Sequence, residues 1–265
     1  MSNQIVYQNY LKPLYEDIIW NKPENKNNAG KILIIGGSQD NFRNVSDIYN
    51  YCLKARAGTI KIVLPNTLQK NLFDPNLDQI FLASTKSGSF SSIGLAEMLD
   101  LANWSDITIL AGNFSKSSET ELLMQNFLNK CPSAICIVDD ALEIATPVSN
   151  DLNEKKNRLL IGSFSQLQKA LLKIYPEQIL KVSRSIVEQL TSIEQIKNKL
   201  NLSIISYDLS NFIVISENKI SLTKYPNLTN WKNMLAAFGS TYFIHNQETL
   251  FKGLTSAVAD GLNVN

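Results

Sequence analysis

Histidine is all but missing from this 265-residue chain, with His245 the only one. No Ser/His/Asp or Cys/His set assembles around that single imidazole. Its setting, "YFIHN", marks a helix C-terminus, where a histidine is at home. Cysteine is scarce too. Cys52, Cys131 and Cys136 are odd in number and lack metal-ligand spacing, which argues against a disulfide scaffold and a zinc site. They are expected as small core side chains in a reducing cytoplasm. Charge is sparse: 18% of residues are charged and the net charge is +1, which gives no bulk attraction to nucleic acid or anionic membrane. The aromatic residues do not interleave with a basic stripe, so a nucleic-acid surface is not expected. No apolar run approaches the ~18 residues of a membrane span. The first residues, "MSNQIVYQNYLKPLYEDIIW", have neither a basic n-region nor an apolar h-region, so no signal peptide is expected. No Pro/Gly/Ser-rich linker or internal repeat divides the chain.

What is present is alternation. "KILIIGG" is a continuous apolar run ending in glycines, the pattern of a strand buried on both faces. "NVSDIYNYCLKARAG" places Val45, Ile48, Tyr51, Cys52 and Ala55 on one helical face and ends at Gly58. "TIKIVLP" is a second strand. Together these make a βαβ unit with parallel strands. The pattern continues through "QIFLAST", a helix in "SIGLAEMLDLAN" capped by Ser91 or Ser92, "DITILAG", a helix opened by Ser118 and Glu121, and "AICIVDDAL". "NRLLIGS" reads as a strand, and "FSQLQKALLK" and "QILKVSRSIVEQLTSIEQIKNKLN" as helices. "SIISYD", "NFIVISE" and "KISLT" have short gaps that suit antiparallel edge strands. Two helical patterns close the chain. Residues 1–25 read as a helical extension, interrupted or begun at Pro13. The expected architecture is one α/β domain over residues 1–265, a mostly parallel sheet with helices on both faces and an antiparallel edge.

Ligands in such folds sit beyond the carboxyl ends of the strands. That gathers "GGSQDNF", "AGNFSKS" and "DDAL" around one crevice. The Gly36-Gly37-Ser38 loop is neither a P-loop nor a dinucleotide fingerprint, since the further Lys and Gly are missing. Taken alone it is either a tight strand-to-helix turn or a crevice wall. Asp139 and Asp140 are either ligand contacts or helix-initiating acids. Asp208 reads as a turn residue.

In order and spacing, "KNNAGKILIIGGSQDNF", "LKARAGTIKIVLP", "DITILAGNFSKSSET" and "IVDDAL" resemble the ADP- or ATP-dependent NAD(P)H-hydrate dehydratases of the ribokinase-like superfamily. Lys26, Gly30, Gly36, Gly37, Ser38, Phe42, Arg56, Ala57, Gly58 and Pro65 all fall in place. The resemblance implies a three-layer ribokinase-like fold and a nucleotide cofactor, ADP or ATP with Mg. It implies a small-molecule crevice bordered by Gly36, Gly37, Ser38, Phe42 and Asp140, with nucleotide contacts from Asn113, Asn230 and Lys232. Relatives often form symmetric oligomers, which implies a homo-oligomer.

The blocks that carry chemistry in the family are altered here. Gly-Pro-Gly-Leu-Gly reads as "AGNFS", Ala111 to Ser115. Asp-Ala-Asp-Ala-Leu is shortened to Asp139, Asp140, Ala141, Leu142. The family's His and Glu fall on Ser163 and Gln166, and its Leu-Lys-Gly on Ser206, Tyr207 and Asp208. The closing Gly-Ser-Gly-Asp becomes Asn230, Trp231, Lys232, Asn233. Asn233 thus stands where the family has its general base, and an amide is not a base near neutral pH. Trp231 and Lys232 add bulk where glycine lets backbone approach phosphate. The expectation is a binding protein on this fold with little or no phosphoryl transfer, against the alternative of an active dehydratase or related kinase using another base.

Overall fold

The computed structural model describes residues 5–23, 25–172, 176, 180–226 and 228–264. Among these, the strands β1 (Ile5–Gln8), β2 (Lys31–Gly36), β3 (Thr59–Pro65), β4 (Gln79–Leu82), β5 (Ile107–Gly112), β6 (Ala134–Val138), β7 (Arg158–Ser163), β8 (Ser203–Asp208), β9 (Asn211–Ser216) and β10 (Lys219–Lys224) form one sheet. Its order is β1-β10-β9-β8-β7-β6-β5-β2-β3-β4. Pairing is parallel from β4 across to β8, and antiparallel for β8–β9 and β9–β10.

The helices are α1 (Glu16–Trp20), α2 (Arg43–Lys54), α3 (Gln69–Leu72), α4 (Leu95–Trp104), α5 (Ser118–Lys130), α6 (Ala141–Ala145), α7 (Ser149–Asn153), α8 (Phe164–Leu172), α9 (Ile186–Ile196), α10 (Trp231–His245) and α11 (Leu250–Val264). The period-2 rule divides each strand between two cores. Ile32 and Ile34 of β2 pack with α2, α10 and α11, while Leu33 and Ile35 pack with α4, α5, α6, α8 and α9. Both faces are covered, which is why the parallel strands read as unbroken apolar runs. Cys52, Cys131 and Cys136 are all buried. Burial pushes the Cys136 thiol up to about 12, as suits an inert core side chain. No helix among the described residues is long and apolar enough to cross a membrane.

Local readings shift in four places. The extension expected to be helical begins as strand β1, which pairs parallel with β10, and only Glu16–Trp20 is helical. The free edge of β10 offers unpaired backbone groups, and Gln8 locks the strand there through Nε2 bonds to Thr223 Oγ1 (3.0 Å) and the Thr255 carbonyl (2.9 Å). Ser91 and Ser92 do not cap α4; both hydroxyls donate to Glu119 Oε1. Ser117, not Ser118, caps α5. The long helix expected around residues 178–201 is the shorter α9, because Ser183 and Ser185 form a turn before it; Gln178 and Ile179 lie outside the described residues.

Arg158 pins the α5–β6 connection. Its side chain is fully buried, and its Nη atoms donate to the carbonyls of Cys131 (2.9 Å) and Ser133 (2.8 Å) and to Asn157. Cys131 ends α5, so a cation there also meets the negative end of the helix dipole. Arg158→Ala strips these carbonyls of their donor, and is expected to lower the unfolding free energy by about 3 kcal/mol in urea titrations. Arg158→Lys, without the planar fork, is expected to recover only part of that.

Candidate functional site

The carboxyl ends of β2, β5, β6 and β7 meet the first turns of α2 and α10. Glycine sets the spacing. A Cβ on Gly36 would lie 2.9 Å from the Gly112 carbonyl and from Ala111 Cβ, so β2 and β5 close only because it has none. Their register shifts at Ile35/Gly36, and the Gly37 N–H then donates to the Gly112 carbonyl at 2.9 Å. Gly112 has φ +74°, and a Cβ on it would fall 1.7 Å from Asp140 Oδ1.

That close approach lets the Asp140 carboxylate accept the Asn113 N–H with both oxygens, each at 3.0 Å. Asn113 Oδ1 accepts the Asn44 N–H at 3.0 Å, and Asn44 Nδ2 donates to the Ala111 carbonyl at 3.1 Å. Asn44 Oδ1 accepts from Asn233 Nδ2 at 3.2 Å, and the same amide reaches Asp47 Oδ2 at 3.4 Å. Lys232 forms an ion pair with Asp139, which also accepts from Gln166 Nε2 at 3.1 Å. Gln166 Oε1 in turn accepts the Ser163 N–H at 3.0 Å.

The two neighbouring acids are held differently. Burial raises the Asp139 carboxyl, but Lys232 and Gln166 outweigh it and keep the group below the usual carboxylate range. Asp140 is pushed up, mainly by burial and further by the charge of Asp139, against the pull of the Asn113 N–H. Among the described residues no group of three or more His, Cys, Asp or Glu is placed to hold a metal ion.

The residues expected to line one crevice divide between two places. Asp140, Asn113, Lys232 and Asn233 join the network above. Gly36 and Gly37 border it. Ser38 is only 4% exposed and is folded into its own turn, its N–H bonded to the Asn41 carbonyl at 2.8 Å. Phe42 stands over a separate cleft beside α2. Asn230 sits before α10 in the left-handed region at φ 57°, without a side-chain cap to the helix. Trp231 does not crowd the crevice: its indole is buried against Tyr207 and Phe212. His245 ends α10 as expected, hydrogen-bonded to the Ala29 carbonyl, and burial lowers its pKa. Asp208 closes β8 and accepts from Gln189 and from the next N–H of its own turn. Asn44 and Asp47 were not foreseen. Each precedes a core residue of α2, Val45 or Ile48, and so borders the buried stripe at helical spacing.

No protein-family model matches the sequence, and no curated protein matches it. Solved structures do. A ribokinase-like superfamily protein from Enterococcus faecalis V583 superposes with a TM-score of 0.73 at 12% identity, over 99% of this chain and 89% of that one. This chain has the ribokinase-like fold. The ADP/ATP-dependent NAD(P)H-hydrate dehydratase from Bacillus subtilis, co-crystallised with ATP/Mg2+, is similar at a TM-score of 0.58 and 11% identity, over 94% and 87% of the two chains. Phosphomethylpyrimidine kinase from Clostridium difficile 630 follows at 0.51 and 10%, over 84% and 96%. At such identities the shared ribokinase-like architecture is what the likeness carries; chemistry rests on the side chains.

Opposite shifts at Asp139 and Asp140 give opposite pH signatures. The lowered group stabilises the fold above the unfolded carboxylate pKa, and that contribution fades as pH falls through its folded value. The raised group stabilises only at low pH, and its contribution is lost as pH rises through its folded value. In urea titrations from pH 3 to 7, about the range spanning carboxylate ionisation, Asp139→Asn is therefore expected to become more destabilising as pH rises. Asp140→Asn is expected to become less so.

Proposed function

We propose that this protein is a small-molecule-binding derivative of the hydrate-dehydratase type of ribokinase-like fold, in which phosphoryl transfer has been lost. Asn233 carries the reading. It occupies the first turn of α10, where the resemblance places a general base, and its side-chain nitrogen donates to Asn44 and Asp47. Losing a general base costs roughly 10²–10⁴-fold.

The anion-binding groups support the same view. A nucleotide with magnesium accompanies the Bacillus dehydratase in its crystals. Here the groups expected to meet phosphate are already taken by the protein's own acids: Lys232 by Asp139, and the Asn113 N–H by Asp140. A polyphosphate does not fit these partners without displacing a carboxylate at each. The crevice offers amide, carboxylate and hydroxyl groups instead, which suit the hydroxyls and amides of a compact, uncharged polar molecule.

One observation favours a second reading, an active enzyme with a different base: Asp47 Oδ2 lies 3.4 Å from the Asn233 amide. Against it, the same Oδ2 is already engaged, accepting from that amide and lying 3.6 Å from Arg43 Nε. Purified protein with hydrated NADH and ADP or ATP is expected to regenerate no dinucleotide absorbance above a buffer blank. Asn233→Asp alone is expected not to restore turnover, because Lys232 and the Asn113 N–H stay engaged by Asp139 and Asp140. Turnover that Asp47→Asn abolishes would establish the second reading. The same nucleotides are expected to leave the melting temperature unchanged.

A further inference from the structure

Beside α2, on the side away from the crevice network, lies a cleft of about 450 Å³. It opens between α2, the outer stretch of β3 and the segment from α3 to β4. Its walls are Phe42, Tyr49, Leu72 and Phe73, with Ile62 and Leu64 as its floor. Its volume falls within the roughly 300–1,000 Å³ of small-molecule pockets. Phe73 is 62% exposed and Phe42 36%, so two aromatic rings stand open at the rim of a concavity.

Three observations define the occupant. No Lys, Arg or His lines the cleft, and Asp74 is its only charged residue, so nothing there neutralises an anion. The Tyr49 hydroxyl and the Asn71 amide have no hydrogen-bond partner among the described residues, which leaves polar groups free in an aromatic setting. The Gly37 loop closes over one end of the cleft: a Cβ on Gly37 would lie 3.3 Å from Phe42 Cβ and 3.4 Å from Leu64 Cδ2. A protein partner is a poorer occupant, because a stable interface needs about 800 Å² per side rather than a hollow of this volume. The chain's own beginning is distant: β1 lies at the opposite edge of the sheet.

We propose that this cleft is a second ligand site, one that takes a flat, uncharged, nitrogen-bearing ring such as that of a nucleoside without its phosphates. The ring stacks among Phe42, Tyr49 and Phe73, and its edge meets the Tyr49 hydroxyl and the Asn71 amide. The site is independent of the crevice reading.

Adenosine is the probe, read by saturation-transfer NMR and titration calorimetry on the full-length protein. Saturation is expected to be strongest on the base protons. Ser46→Trp, on the exposed rim of the cleft, is expected to fill it and weaken adenosine at least ~10-fold, whereas Lys232→Ala in the crevice changes affinity less than ~2-fold. Circular dichroism melts check that Ser46→Trp is folded, and Asn71→Ala, at an exposed position, provides a second variant expected to weaken binding. Loss of binding in Lys232→Ala with retention in Ser46→Trp would overturn this site while leaving the crevice reading intact. No saturation of base protons in the unaltered protein, or equal affinity in all variants, would also overturn it.

Discussion

Both oxygens of the Asp140 carboxylate accept a single backbone N–H, that of Asn113, and this contact orders everything around it. It exists because Gly112 has no side chain to block it. Asn113, fixed by that bond, presents Oδ1 to the N–H of Asn44 at the start of α2. Asn44, fixed in turn, presents its own Oδ1 to Asn233 at the start of α10. One line of hydrogen bonds thus joins β6, β5, α2 and α10, drawn from four separate parts of the chain. Its first link is charge-assisted and partly desolvated, so it is stronger than an ordinary amide–carbonyl bond. Burial raises the Asp140 pKa, so the same link also carries a cost in keeping that acid ionised.

Backbone conformation marks the same place. Leu209 and Ser210, like Glu217 and Asn218, adopt positive φ because tight hairpins between β8, β9 and β10 demand it. Arg56 does so just past the end of α2, where helices commonly stop. The remaining non-glycine positions, Asn113, Asp139 and Asn230, have no such local cause. All three lie at the crevice. Asn and Asp tolerate this region better than other side chains, but the conformation persists only where surrounding contacts hold it. For Asn113 and Asp139 those contacts are the bonds of the network, which keep strand ends and helix starts in one arrangement.

The sheet was readable from the chain because its signals are local. A run such as "KILIIGG" carries its strand character, its two buried faces and its glycine stop within seven letters. The crevice edges were readable for the same reason, since strand ends in a parallel sheet converge at one side. The partnerships were not. Asn233 and Asn44 are 189 positions apart, and no local pattern marks one amide as the partner of another. Trp231 misled in an instructive way: its bulk, set against a glycine-rich motif, suggested obstruction, whereas packing against Tyr207 and Phe212 turns it into the core. β1 was hidden because its pairing is decided by the free edge of β10, more than two hundred residues away.

On the proposed function, tethering explains why the network bears on the choice of ligand. Asp139 and Asp140 belong to the same chain as the groups they engage, so their effective concentration there is on the order of millimolar or more. A free phosphate must match that and also shed its own hydration before it reaches Lys232 or the Asn113 N–H. An uncharged ligand faces no such contest. It can donate to the unused lone pairs of Asp47 and Asp139 and accept from Gln166 Nε2 while every ion pair stays in place. On the proposed function, side chains that satisfy one another stand where the resemblance expects glycine and open backbone. The protein's own anions, Asp139 and Asp140, then occupy Lys232 and the Asn113 N–H, and on that reading hydrogen-bond shape rather than charge selects the ligand.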